Sequence, residues 1–241
     1  MGEGAGEKKD HPHQRSLWFT HGSINGIDFW AEFKGKTGTT KHREFVKVEG
    51  GKVATIVTRN DWLAPDGKKV LEDERTLRFG ADGDSRWIDF DITLKASEGP
   101  LTFGDTKEGS FGTRVAETMK VDAKLGGKII NSQGQTNAAA WGKRADWVDY
   151  SGPVDGQIVG IAILNHPSSF RFPTHWHVRT YGLFAANPFG PGSFSGTEKH
   201  DPLTIAQGQT LSLRYRVLLH RGDEKAGKIA EAFAAYAKEP K

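Results

Sequence analysis

Between Ser85 and Ala96 the chain reads SRWIDFDITLKA, and its character changes at every step. Ile88, Phe90, Ile92 and Leu94 fall on one side of an extended strand, and Asp89, Asp91, Thr93 and Lys95 on the other. QTLSLRYRVLLH, residues 209–220, repeats the pattern, with Leu211, Leu213, Tyr215, Val217 and Leu219 facing inward. Such alternation belongs to antiparallel strands with one buried face. DGQIVGIAIL (155–164) is apolar on both sides and predicts a central strand. IDFWAEF (27–33), a hairpin over 45–63, KVLEDERTLRFG (69–80) and ADWVDYSG (145–152) are further strands. One helix closes the pattern: residues 222–239, capped by Asp223, carry Ile229, Phe233 and Tyr236 or Ala237 at helical spacing, which predicts packing across the outside of a sheet.

No internal repeat or linker divides the 241 residues, so the reading is one domain over 1–241, with 1–10 a flexible lead. The 30 glycines supply the tight turns an all-β chain needs. The predicted fold is all-β, an antiparallel β-sandwich with a C-terminal α-helix. A net charge of +3, without a basic stripe, offers no surface for nucleic acid. No apolar run approaches the roughly 20 residues of a membrane-spanning helix. Cysteine is absent, which removes thiolate metal sites and cysteine nucleophiles.

The chemistry concentrates in two short runs. HWHVR places His175, His177 and Arg179 on one face of an extended segment, and HPHQR does the same with His11, His13 and Arg15. Imidazoles two apart on a strand can chelate a metal, or simply hydrogen-bond their neighbours. The adjacent arginines disfavour a plain metal cage and suit recognition of hydroxyls, carboxylates or phosphates. The remaining histidines are His21, His42, His166, His200 and His220. GDTKEGSFGTRVAETMKV (104–121) adds a glycine-rich bend, then a strand start at GTRVAE with Arg114 and Glu117. A carboxylate there could act as an acid or base. NHPSSFRFPTHWHVRTYGLFAANPFGPGSF (165–194) builds an aromatic wall of the kind that suits sugar rings.

DHPHQRSLWFTHGSINGIDFW, FGTRVAETM, DYSGPVDGQIVGIAILNHP and THWHVRTYGLFAANPFG, in this order, resemble the bacterial PmoA-like proteins, some of which carry the label methane oxygenase. The resemblance spans Lys9 to about Arg216. It implies a galactose-mutarotase-like supersandwich and carbohydrate processing, with a small-molecule or oligosaccharide ligand. His13, Arg15, His21, Arg114, Glu117, His166, Trp176, His177, Arg179 and Asn187 fall on its most recognisable runs. From their chemistry, Glu117 or a neighbouring carboxylate is the expected base and His13 or His177 the acid. Arg15, Arg114 and Arg179 would hold substrate oxygens, with His21, His166, Trp176 and Asn187 also binding. The expected activity is epimerase- or mutarotase-like, or hydrolysis or elimination on an oxidised sugar. Alternatives are a non-catalytic carbohydrate-binding module and a metal enzyme with His13, His21 and His177 as ligands. No cofactor is implied, a divalent metal excepted, and the oligomeric state is open. Relatives carry a further stretch ahead of the equivalent of MGEGAGEKKDHPHQR, which predicts missing opening strands, an unpaired sheet edge and an open groove beside 85–96 or 209–220. Full-length relatives are expected in the periplasm, and this start has no secretory signal.

Overall fold

The computed structural model describes residues 11, 13–196 and 202–240, so the lead over 1–10 and His200 lie outside the described residues. Strands run in chain order as β1 Leu17–His21, β2 Thr39–Glu49, β3 Ala54–Leu63, β4 Lys69–Asp82 and β5 Ser85–Lys95. They continue as β6 Leu101–Phe103, β7 Gly109–Arg114, β8 Lys128–Asn131, β9 Trp147–Val154 and β10 Gln157–Asn165. The last are β11 His175–Val178, β12 Leu183–Asn187, β13 Leu203–Ile205 and β14 Thr210–Arg221. Two short helices, α1 Pro191–Ser195 and α2 Ile229–Tyr236, complete the set.

The strands form an eight-stranded sheet in the order β2-β3-β4-β5-β14-β10-β9-β8, a four-stranded sheet β1-β7-β12-β11, and a small pair β13-β6. Every pairing among the named strands is antiparallel. The two larger sheets pack face to face, so the fold is the antiparallel sandwich that the alternation predicts. Phe111 of the small sheet stacks on Tyr215 of the large one with ring centres 4.6 Å apart, and meets Phe90 at the same distance. Phe19 lies between Trp62 and Phe90. Trp176, Val178, Phe184 and Ala186 complete the inner face of the small sheet.

A third layer lies behind the large sheet. Ile229 and Tyr236 of α2 pack on Trp147, Ala162, Leu164 and Leu218. This explains why 155–164 is apolar on both sides, since one face of β10 meets the sandwich core and the other the helix. The helix itself is shorter than its periodicity suggests. Asp223 caps a turn by accepting from the amides of Lys225 and Ala226, and Lys228 takes a left-handed conformation before α2 begins. On the same sheet face, Arg216 grips Asp89 through two hydrogen bonds and Arg214 reaches Asp91.

Four expectations fail. IDFWAEF forms no strand, because the Asp28 carboxylate accepts from the amides of Trp30 and Ala31 and turns the chain. HPHQR is also turned: Gln14 N–H donates to the His11 carbonyl and Arg15 N–H to that of His13. Its three side chains therefore do not share a strand face. Finally, β5 and β14 are paired on both sides, and the hollow beside them lies over the sheet face rather than along an open strand edge. Leu219, expected inside, is 39% exposed.

Buried polar groups set two sensitivities. Asp73 is buried and accepts from Asn60 Nδ2, Trp62 Nε1 and two nitrogens of Arg75 at 2.6 to 2.9 Å. Asp73→Ala strands all four donors, and chemical denaturation is expected to register a loss of about 3–5 kcal/mol, with Asp73→Asn losing less. His21 is sealed in the core against Phe103 and Phe189, and burial pushes its pKa down to about 4. Its stabilising contribution is complete above pH 6.5 and is lost as pH falls toward 4. Denaturation curves between pH 7 and 4 are expected to show that slope, and His21→Gln to flatten it.

Candidate functional site

The small sheet is covered on both faces. Its inner residues meet the sandwich core, while Leu183 and Ala185 of its outer face lie under Trp30, with Trp18 and Tyr181 alongside. Gly112 makes this cover possible. A Cβ there would sit 2.9 Å from the Ala185 methyl and 3.0 Å from the Trp18 ring, so any larger residue lifts the indole off the sheet. Trp18 in turn meets Trp30 edge-on at 5.7 Å.

Beside this aromatic cover lies a cavity of about 270 Å³. The front segment contributes His11, His13 and Gln14, and the turn after β1 contributes Asp28, Trp30 and Ala31. Lys107 and Glu108 enter from the loop before β7. His177 comes from β11, and Arg179, Tyr181 and Leu183 from the hairpin into β12. The two H-x-H-x-R runs thus meet at one cavity, although only the second does so as a strand.

The front segment is pinned from below. Arg114, at the end of β7, donates to Gln14 Oε1 at 2.7 Å and to His11 Nδ1 at 3.3 Å, with its guanidinium over the Tyr181 ring. The His11 ring stacks on Tyr181, and His13 meets Trp30 edge-on. Burial, then the neighbouring His11, lower the pKa of His13; Glu32, Glu108 and Asp28 oppose the shift. Asn187 pins the opposite wall. Its Nδ2 donates to the carbonyls of Thr106 and Lys107 at 3.0 and 3.1 Å, which fixes the loop carrying Glu108.

His177 is held neutral. Arginine can only donate, so the 3.2 Å contact from Arg179 Nε makes His177 Nε2 the acceptor and puts the ring proton on Nδ1. Burial, reinforced by the Arg179 cation, drives its pKa to about 3. The nearby Lys107 carbonyl opposes the shift. His177 is therefore no general acid near neutral pH. It orients Arg179, whose guanidinium lies 4.6 Å from the centre of the Trp141 ring.

The other expected residues sit elsewhere. Glu117 opens a 3-10 turn after β7, pairs with Lys120 and does not line the cavity. Arg15 pairs with Glu32 at the surface. His21 Nε2–H donates to the Gly104 carbonyl inside the core. Trp176 faces the sandwich core and donates to the Ala145 carbonyl. His166 bonds Ser168 and the Glu239 carbonyl beside Tyr236, so it ties down the segment after α2. Arg114 and Asn187 hold walls rather than line the space. The proposed metal ligands His13, His21 and His177 do not assemble, and no group of three or more metal-ligating side chains occurs among the described residues. Glu108 is the carboxylate neighbouring Glu117 that lines the cavity, and Asp28, Lys107, Trp30 and Tyr181 join it without having been named as site residues. Lys107 and Glu108 stand in the glycine-rich bend, immediately before β7, the strand that Glu117 follows.

A larger hollow of about 420 Å³ lies over the big sheet between Arg43, Arg59, Glu72, Glu74 and Lys95. Its charges neutralise each other: Arg43 and Lys95 hold Glu72, and Arg59 holds Glu74. No aromatic side chain lines it. Among the described residues no helix is long and apolar enough to cross a membrane.

No curated protein matches the chain. Among solved structures, an aldose 1-epimerase homologue from Escherichia coli K12 is 12% identical with a TM-score of 0.35, over 85% of this chain and 76% of that one. A galactose mutarotase related enzyme from Lactobacillus acidophilus is 11% identical with a TM-score of 0.31, over 84% of this chain and 78% of that one. Likeness this slight carries no argument about activity or substrate. Residues 4–234 match DUF6807, a family of unknown function, and the chain belongs to that family.

Proposed function

We propose that the cavity over the small sheet is a carbohydrate site, and that the chain is a sugar-processing enzyme working by acid–base chemistry. One observation carries the reading. An imidazole (His13), a carboxylate (Glu108), a guanidinium (Arg179) and two aromatic rings (Trp30 and Tyr181) converge from separate segments on one space. Its volume of about 270 Å³ lies near the lower limit of the ~300–1,000 Å³ typical of small-molecule sites, a fit for a single sugar ring. Aromatic faces suit the C–H side of such a ring, and the polar groups its hydroxyls. The resemblance to PmoA-like proteins points the same way.

The reaction best matched to these groups is interconversion at an anomeric carbon. Glu108 takes the proton of the anomeric hydroxyl as His13 protonates the ring oxygen. The bond between the anomeric carbon and the ring oxygen opens, the carbonyl carbon turns, and reclosure returns both protons. Arg179 steadies charge on a substrate oxygen. A binding module is the second reading, favoured by the 3.1 Å ion pair that already engages Glu108 with Lys107.

Exchange between α and β anomers, followed by NMR on a panel of aldoses and 3-oxidised sugars, separates the two. Catalysis predicts accelerated exchange, reduced about 10²–10⁴-fold by Glu108→Gln with binding retained. Binding without acceleration for any sugar leaves the module. Because the pKa of His13 lies below 6.5, its acid form is lost as pH rises, so the rate is expected to fall from pH 6 to 8. Trp30→Ala is expected to raise KM more than it lowers kcat.

A further inference from the structure

Among the described residues Arg179 has no counter-ion, unlike four arginines of the large sheet. Arg75, Arg78, Arg214 and Arg216 each hold an aspartate. Arg179 spends its Nε–H on His177, a neutral ring, and its other four N–H donors meet no acceptor among the described residues. Lys107, the other fixed cation at the cavity, is already matched by Glu108. The Trp141 ring below and the His177 nitrogen at its edge fix the plane of the guanidinium, so its fork is set before any ligand arrives.

We propose that Arg179 is the anchor for a carboxylate on the substrate, and that the sugars taken by this site are sugar acids such as hexuronates. The inference rests on the carbohydrate reading above and names its substrate class. A half-buried cation beside an aromatic face is stabilised by a singly charged, planar acceptor that takes two parallel hydrogen bonds. A phosphate ester brings a second negative charge, which would face Asp28 and Glu108 across the same small space. The single unmatched cation therefore fits a carboxylate better than a phosphate.

Calorimetric titration of matched sugars tests this: glucose with glucuronate and glucose 6-phosphate, and the galactose and mannose counterparts. For at least one series the uronate is expected to bind about 10-fold or more tightly than the neutral sugar. Arg179→Met, with its fold checked by circular dichroism, should weaken the uronate far more than the neutral sugar and so erase that difference. Arg179→Lys should restore only part of it. Equal affinity for neutral and acidic sugars, an equal loss of both in Arg179→Met, or a 6-phosphate bound more tightly than its uronate overturns the proposal. If neutral sugars bind and Trp30→Ala weakens them while uronates gain nothing, the carbohydrate reading survives and this inference alone falls. If no sugar of any series binds, both fall.

Discussion

The structure depends on a four-stranded sheet that is covered on both faces. Its inner face is held by ring-on-ring contact, Phe111 against Tyr215 and Phe90, and Phe19 against Trp62 and Phe90. Its outer face is roofed by Trp18 and Trp30. With little water on either side, polar side chains on this sheet are under pressure to find partners in the protein. That requirement turns His177 into a neutral acceptor and Asn187 into a loop clamp.

The two sheets handle charge in opposite ways. Across the outer face of the large sheet, carboxylates and guanidiniums alternate on neighbouring strands and cancel, as Asp89 with Arg216 and Asp91 with Arg214 and Arg78. Such a face is internally satisfied and offers little to a ligand. The outer face of the small sheet carries fewer ionic groups, and they are unevenly matched.

The alternation in 85–95 and 210–221 made the main sheet legible, because period-two burial is a local property written residue by residue. The meeting of His13 with His177 was legible only as a paired motif, and for a reason that does not hold at the front: HPHQR turns instead of extending. The lining carboxylate was legible only as a neighbour of Glu117. Glu117 stood in the recognisable run, but β7 ends at Arg114 and the chain turns away before Glu117. Glu108 reaches the cavity through a loop whose path is set by the Asn187 amide, some 80 positions distant. No local pattern encodes such a bond. IDFWAEF misled in the same way, since its apolar residues read as a strand while Asp28 bends the backbone.

The Arg114 contacts have a kinetic consequence. One guanidinium joins Gln14, His11 and the Tyr181 carbonyl, partners drawn from both ends of the lining. The enclosure therefore cannot close until a long-range tether has formed, and it is among the latest features to mature as the chain folds. By the same logic, loss of the Arg114 contacts to His11 and Gln14 would open the cavity while leaving the sandwich behind it intact.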